Sequence, residues 1–402
     1  MEDRSPELAD ILRRWLDEYQ ERGGSFCQVH RRAVRAILAC RTEALGGHRW
    51  ACDACGAVCD RFNSCGDRHC PKCQYLAKQR WLESRTEELL PVGYFHLIFT
   101  VPPALNPIFL RAPKLAYSLL FRAAGESLLE VAADPRHLGA QVGAVAVLHT
   151  WGQRLQMHPH VHCIVPGGGL SLDGERWVPS APDFLVPVKV LSKEFRKKLL
   201  GLIQRTCRRS ETLLPDDLDP VEAPNCHRAW LDGLESTPWA VYSKPPFGGA
   251  EKGLEYLARY THRVAISNER LLAIRDDRVV FRWKDYRDGG TQKVSSLAGV
   301  EFVRRFLQHV LPRGFQRIRY YGLLANRYRR ESLERCRQLL GVGPSNELDE
   351  TSEVSTPVDG SVEDPVKCPV CEVGRLILRA QIPATSSWGQ SRAPPLSAAR
   401  FH

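Results

Sequence analysis

The stretch from Cys40 to Gln74 is poor in aliphatic side chains, yet seven of the chain's 14 cysteines fall between Cys40 and Cys73. A segment of that composition cannot bury enough apolar surface to hold one conformation by itself. Disulfides would serve in a secreted chain, but Met1–Arg14 carries several charges and no long apolar run. We therefore expect no secretory signal, no span of the roughly 20 apolar residues a membrane crossing needs, and a cytoplasmic location. Metal binding is the better account of the cysteines. Cys52 with Cys55 and Cys70 with Cys73 form two CxxC knuckles, at a spacing close to that of a zinc ribbon, and are expected to close one tetrahedral Zn²⁺ site. Cys40, His48, Cys65 and His69 could complete a second, interleaved site. Reduced, unliganded thiols and an iron–sulfur centre are the alternatives, although iron–sulfur runs usually have other spacings. Cys368 and Cys371 form a lone CxxC with no second pair to complete it, and read as a weak or broken knuckle.

The rest of the chain has the periodicities of a globular protein. Its hydrophobic content of 43% over 402 residues supports a sizeable core divided among two or three units. Apolar residues at Leu8, Ile11, Leu12, Trp15, Leu16 and Tyr19 mark a helix, and further helices are expected over Val29–Ala39, Trp81–Leu90, Leu191–Thr206, Leu254–Arg263 and Gly299–His309. Short apolar runs at Tyr94–Val101, Val142–His149 and His160–Val165 read as buried strands, with strand-like pieces at Val264–Ser267, Leu271–Arg275 and Val279–Lys284. From Asn346 to Val366 the composition turns to Glu, Ser, Asp and Pro, so a linker is expected there and a flexible tail beyond it. The divisions that follow are N-terminal helices over 1–39, a zinc-binding region over 40–75, a catalytic domain over 76–330, and linker with tail over 331–402. Lys and Arg total 56 against 46 Asp and Glu, a formal net charge of +10, which suits a polyanionic partner.

Two constellations carry chemistry. In Met157–Val165 (MHPHVHCIV) side chains alternate, so His160 and His162 share one strand face while Val161, Cys163 and Val165 point into the core. Two imidazoles fixed on a rigid sheet suit a divalent metal, with positions left for phosphate oxygens and water. A pair of hydrogen-bonded surface histidines would look the same, and the third ligand stays open among His158, His262 and Asn268. Gly167–Gly169 would admit a close backbone approach or simply form a turn. Tyr256 and Tyr260 stand at i and i+4, which on a helix puts two phenols on one face about 6 Å apart at Cβ. A phenol with a pKa of about 10 is a poor nucleophile unless a metal or cation makes the phosphorus electrophilic. Attack would leave a phosphotyrosine and free a 3′ hydroxyl, conserving the bond for rejoining. Two aromatic residues packed on a core would share this spacing, and Arg259 and Arg263 could either hold phosphate charge or line a solvated face.

The stretches CRTEALGGH, NSCGDRHCPKCQ, FHLIFTVPP, LHTWGQRLQMHPHVHCIVPGGG, YSKPPFGG with LEYLARYTHRVAISN, and FVRRFLQHVLPRGFQRIRYYGLLANR run in one order over roughly residues 25 to 340. Together they resemble the insertion-sequence-91 family of rolling-circle transposases, relatives of replication initiators and relaxases with an HUH nuclease domain. The resemblance implies an α+β fold, in which a small antiparallel sheet of RNA-recognition-like type is backed by helices beside an N-terminal helical and zinc-binding unit. It implies catalytic metal ligation by His160 and His162 with Mg²⁺ or Mn²⁺, and nucleophilic roles for Tyr256 and Tyr260, Tyr260 being the safer of the two. The implied partner is single-stranded DNA at the ends of a mobile element, with no membrane involvement. A plasmid replication initiator or relaxase would use the same chemistry. A non-catalytic zinc-dependent DNA-binding protein would leave the pairing of HVH with YxxxY unexplained, and a metal-independent tyrosine recombinase would not need the histidines.

Overall fold

The computed structural model describes residues 4–86, 88–208, 224–247, 261–342 and 366–386. The first helix, α1 (Leu8–Glu21), buries the stripe Leu8, Ile11, Leu12, Trp15 and Tyr19. Its start is held from both sides of the sequence: the Glu7 amide donates to Asp10 Oδ2 at 2.9 Å, and the Leu8 amide to the remote Asn268 Oδ1 at 3.1 Å. Helix α2 (Gln28–Ala39) buries Ala33, Val34, Ala36 and Ile37 and delivers Cys40 at its end. A hairpin follows, β1 (Gly47–Cys52) and β2 (Val58–Phe62), and then α3 (Pro71–Thr86). That last helix starts ahead of the expected Trp81, because Pro71 sits at its first position, where the missing N–H costs nothing.

The central layer is a five-stranded antiparallel sheet. Its members in chain order are β3 (Tyr94–Thr100), β5 (Gly143–Trp151), β6 (Met157–Pro166), β9 (Val241–Phe247) and β13 (Ile318–Gly322), and their spatial order is β13-β5-β6-β3-β9. Between β3 and β5 lie α4 (Asn106–Arg111) and α5 (Pro113–Ala133), and before β9 lie α6 (Val188–Cys207) and α7 (Pro224–Ser236). Strand alternation sorts the sheet into two faces. Phe95, Leu97 and Phe99, Ala144, Ala146 and Leu148, and Val161, Cys163 and Val165 point to α5 and α6, forming a core with Leu120, Phe121, Phe195 and Leu199. Val145, Val147 and Ile164 point the other way, onto Leu90, Leu333 and Cys336, the last two on α9 (Arg329–Leu339). The same second face carries the histidines.

A small sheet of β4 (Ala140–Gln141), β7 (Gly168–Ser171) and β8 (Trp177–Pro179) flanks this layer, and β10 (Leu271–Arg275), β11 (Arg278–Asp285) and β12 (Thr291–Ala298) form another, followed by α8 (Gly299–Leu307). A separate core joins Leu12, Trp15 and Ile37 to Phe281, Phe302 and Phe306, so the first helices are packed against residues from far along the chain. The contact is tight: a Cβ at Gly299 would fall 2.1 Å from the Trp15 indole. The expected strand at Val264–Ser267 is absent, replaced by a bend leading into the helical turn Asn268–Arg270.

The expected α+β class, an antiparallel sheet backed by helices with an N-terminal cysteine-bearing unit, is the observed one. The chain end departs from expectation. Residues 343–365, the expected linker, lie outside the described residues, whereas β14 (Leu376–Ile382) is no loose tail. It pairs antiparallel with β1, from Gly47 opposite Ile382 to Cys52 opposite Leu376, because β1 offers it a full row of unpaired backbone groups. Among the described residues no helix is long and apolar enough to cross a membrane.

Candidate active site and metal centres

His160 and His162 lie on β6, on the side away from Val161, Cys163 and Val165. The hairpin register sets His149 of β5 directly opposite His160, and Val147 opposite His162. One ring nitrogen from each of His149, His160 and His162 lies within 4.8 Å of the others, the geometry of a cation site. All three side chains are buried, His160 the most open at 9%. His149 is thus the third member of the group. Of the residues considered for that place, His158 stays outside it, with its ring 5.0 Å from that of His160 and its carbonyl accepting from His160. Asn268 is committed to the start of α1. His262 packs 6.1 Å from Trp81, with its Nε2 buried and unpartnered. The signal for His149 was the hairpin: a strand ending one short turn before MHPHVH must bring a residue opposite His160.

Hydrogen bonds orient these rings. His160 Nδ1 lies 2.7 Å from the His158 carbonyl oxygen, which can only accept, so Nδ1 carries the proton and Nε2 keeps its lone pair. His162 Nδ1 lies 2.8 Å from Nε2 of His96, on the neighbouring β3, and the two rings stack with centroids 5.0 Å apart. Trp151 stacks on His149 at 4.6 Å. Burial, reinforced by the neighbouring His158 and Arg263, pushes His160 down to about 3, and burial with the adjacent histidines and Arg263 holds His162 well below its usual value. Both are neutral at physiological pH, the form that ligates a metal. Arg263 accordingly lies within electrostatic reach of the imidazole pair. Tyr256, Arg259 and Tyr260, with the expected helix they would share, lie outside the described residues; the next described residue is the buried Thr261, two positions before Arg263.

Gly168 and Gly169 are spoken for by the fold. A Cβ on either would meet a backbone oxygen, of Val178 at 2.5 Å or of Gln141 at 2.3 Å, so these glycines let the small sheet close.

The cysteines are divided otherwise than their spacing suggests. Cys70 and Cys73 join Cys40 and Cys65 in a fully buried cluster, while Cys52 and Cys55 join Cys368 and Cys371. The expected four-cysteine site of Cys52, Cys55, Cys70 and Cys73 therefore does not form, because β1 and β2 carry the first knuckle away from the second. In the buried cluster, Cys73 Sγ lies 3.5 Å from both Cys40 Sγ and Cys65 Sγ, near the about 3.8 Å edge of a tetrahedron with 2.3 Å metal–sulfur bonds. Four thiols in that arrangement fit zinc. Neither histidine of the expected interleaved site takes part. His48 is buried on β1 with Nε2 unpartnered, and His69 uses both nitrogens elsewhere, Nδ1 on Asp67 at 2.9 Å and Nε2 accepting from the Leu311 amide at 3.0 Å. His69 and Arg68, which donates to the carbonyls of Leu311, Pro312 and Phe315, fasten the knuckle to the segment before β13.

Comparison with known proteins agrees with this division into a cysteine unit and a histidine-bearing sheet. Residues 11–101 match the family described as "Transposase zinc-binding domain", and residues 143–332 the one described as "Putative transposase". The chain is 49% identical over 379 residues to "Putative transposase y4qJ" of Sinorhizobium fredii (strain NBRC 101917 / NGR234), covering 92% of this chain and 94% of that one. It is 28% identical over 320 residues to "Transposase for insertion sequence element IS801" of Pseudomonas savastanoi pv. phaseolicola, covering 76% of this chain and 72% of the relative. No solved structure matches. With both cysteine and histidine regions matched and a relative alike over nearly its whole length, the chain belongs to the insertion-sequence-91 family of transposases.

Proposed function

We propose that this transposase nicks and rejoins single-stranded DNA at the ends of its mobile element, in a rolling-circle manner, through a 5′-phosphotyrosine made by Tyr260 or Tyr256. The observation that carries this reading is the convergence of ring nitrogens of His149, His160 and His162 on one sheet face, with the Arg263 charge within electrostatic reach. A bound Mg²⁺ or Mn²⁺ there would act as a Lewis acid on the scissile phosphate. The protein's own part is orientation. The His158 carbonyl and His96 fix the rotation of His160 and His162 before any ligand arrives, so little ordering is left to the moment of binding. Arg263, and Arg259 on the same segment, would hold the non-bridging phosphate oxygens. The tyrosine oxygen attacks phosphorus, the bond to the 3′ oxygen breaks, and that oxygen leaves as a hydroxyl after taking a proton. Attack by the freed hydroxyl, or by one from the target strand, reverses the step and needs no external energy.

The test is incubation with a labelled single-stranded oligonucleotide carrying an element end. A covalent adduct is expected that disappears with chelator and in Tyr256→Phe/Tyr260→Phe. An adduct insensitive to chelator would instead mark a metal-independent recombinase, and binding without adduct a non-catalytic DNA-binding protein. Adduct formation on a plasmid origin but not on element ends would mark a replication initiator or relaxase.

A further inference from the structure

Cys52, Cys55, Cys368 and Cys371 form a second thiol cluster, with all four sulfurs within 4.8 Å of one another. The two matched family regions end at residues 101 and 332, short of Cys368, so the family's zinc unit does not contain this arrangement. Four features point to a ligand. Cys52 Sγ to Cys371 Sγ is 3.7 Å and Cys55 Sγ to Cys368 Sγ is 3.8 Å, against the about 3.8 Å edge of a zinc–tetrathiolate tetrahedron and the about 2.05 Å of a disulfide. Backbone amides aim at the sulfurs: Cys55 at Cys52 Sγ at 3.4 Å, Val370 at Cys368 Sγ at 3.4 Å, and Gly374 at Cys371 Sγ at 3.3 Å. Such donors stabilise thiolates, which ligate metals, in preference to thiols. The two knuckles are clasped to each other by a reciprocal pair, the Arg375 amide on Asp53 Oδ1 at 2.7 Å and the Asp53 amide on the Arg375 carbonyl at 3.1 Å. Finally, Gly374 is packed so closely that a Cβ would lie 2.4 Å from Cys52 Sγ, leaving no room for a larger residue beside the cluster.

Beyond backbone pairing, the unit also has little apolar core to hold it. Among the described residues, the core around β1, β2 and β14 has Cys52, Cys368 and Leu376 as its buried members, with Trp50, Ala57 and Val366 partly buried against them, and two of the three buried members are the thiols themselves. So small a core is not self-sustaining, and joining segments more than three hundred residues apart adds the entropy of closing a very long loop. We infer that Cys52, Cys55, Cys368 and Cys371 hold a second structural zinc ion, distinct from that of the Cys40 cluster, which clamps residues 366–386 onto the N-terminal hairpin. Four thiolates fill the coordination sphere, so the ion has no open position for catalysis; it acts on the fold.

Titration of the full chain with a mercurial thiol reagent, read as zinc released, tests this. Ions held by cysteine leave as their thiols are consumed, and an ion on the histidine group does not. Two equivalents are expected from the native chain and one from Cys368→Ser/Cys371→Ser. Two equivalents from that variant, or one from the native chain, would overturn the inference, as would a Cys52–Cys371 or Cys55–Cys368 disulfide found by mass spectrometry in unreduced protein. Should the double variant fail to fold, the native chain decides by itself through alkylation mapped residue by residue. Cys55 and Cys371 are then expected to label only as the second zinc leaves, well after the exposed Cys27. Labelling of Cys55 and Cys371 as fast as Cys27, with both ions still bound, would sink the clamp.

Discussion

Arg317 donates to Gln74 Oε1 at 2.8 Å, one residue after the last cysteine of the buried knuckle. The same guanidinium reaches the Arg263 carbonyl at 3.2 Å, so one largely buried side chain connects the zinc-binding unit to the residue whose charge lies within electrostatic reach of the histidines. Replacing it leaves two part-buried acceptors without their donor. Arg317→Met should cost about 1.5 to 3 kcal/mol by urea unfolding, the range for hydrogen bonds to charged groups. It should also lower adduct formation more than the stability loss explains, because Arg263 loses its support. An unchanged midpoint would show that the link carries no load.

His96 touches His162 but stands outside the three-histidine group. Its removal should loosen the ring without deleting a ligand. His96→Ala is expected to weaken Mn²⁺ binding by roughly 10- to 100-fold, the usual effect of losing such a partner, while His160→Ala abolishes it. Titration calorimetry with Mn²⁺ checks both, and equal losses in the two variants would place His96 among the ligands.

Metal-free protein should be sensitive to mild acid. Burial pushes His96 down to about 3 and His309 down to about 4, His309 being held between Thr150 and the Leu155 carbonyl. Their folded values lie below the about 6.5 of the unfolded chain, so the unfolded state takes up protons first as pH falls. The stability they contribute is present above pH 6.5 and is lost as pH falls, down to about pH 4 for His309 and about pH 3 for His96, at up to about 1.4 kcal/mol per pH unit for each group. Denaturation midpoints at pH 7.5, 6.0 and 5.0 should fall in that order; a flat series would contradict the burial of these rings.

Gly299 lies under the Trp15 indole, where a Cβ would come within 2.1 Å of the ring. Gly299→Ala should force α1 from α8 and cost about 1 to 3 kcal/mol, the range for overpacked cores. Trp15 fluorescence and thermal unfolding report it together. Gly56, whose Cβ would meet nothing but whose φ is +71°, is a useful contrast, since alanine there strains the turn without touching a core.

The sequence displayed what depends on neighbours along the chain. The alternation in MHPHVHCIV gave the strand and sent His160 and His162 to one face, and the stripe of α1 gave the helix. It did not display what depends on pairing at a distance. His149 is a ligand candidate because of hairpin register, and Leu8–Asn268 or Trp15–Gly299 are contacts no local pattern encodes. The pairing of the cysteines differs from their spacing for the same reason. CxxC spacing identifies a knuckle but not its partner: Cys52 and Cys55 face Cys368 and Cys371, just ahead of β14, while Cys70 and Cys73 face Cys40 and Cys65.

The packing of Trp15 against Gly299 also sets an order of events during synthesis. Ribosomes extend a chain at roughly 5 to 20 residues per second, so α1 emerges on the order of fifteen seconds to a minute before its partner exists. Until then the part of its apolar stripe that α2 does not cover must be shielded by chaperones or by transient contacts. A transposase made this way completes its N-terminal core only after about three quarters of the chain is made, and a product truncated before Gly299 would leave the α1 stripe covered by α2 alone.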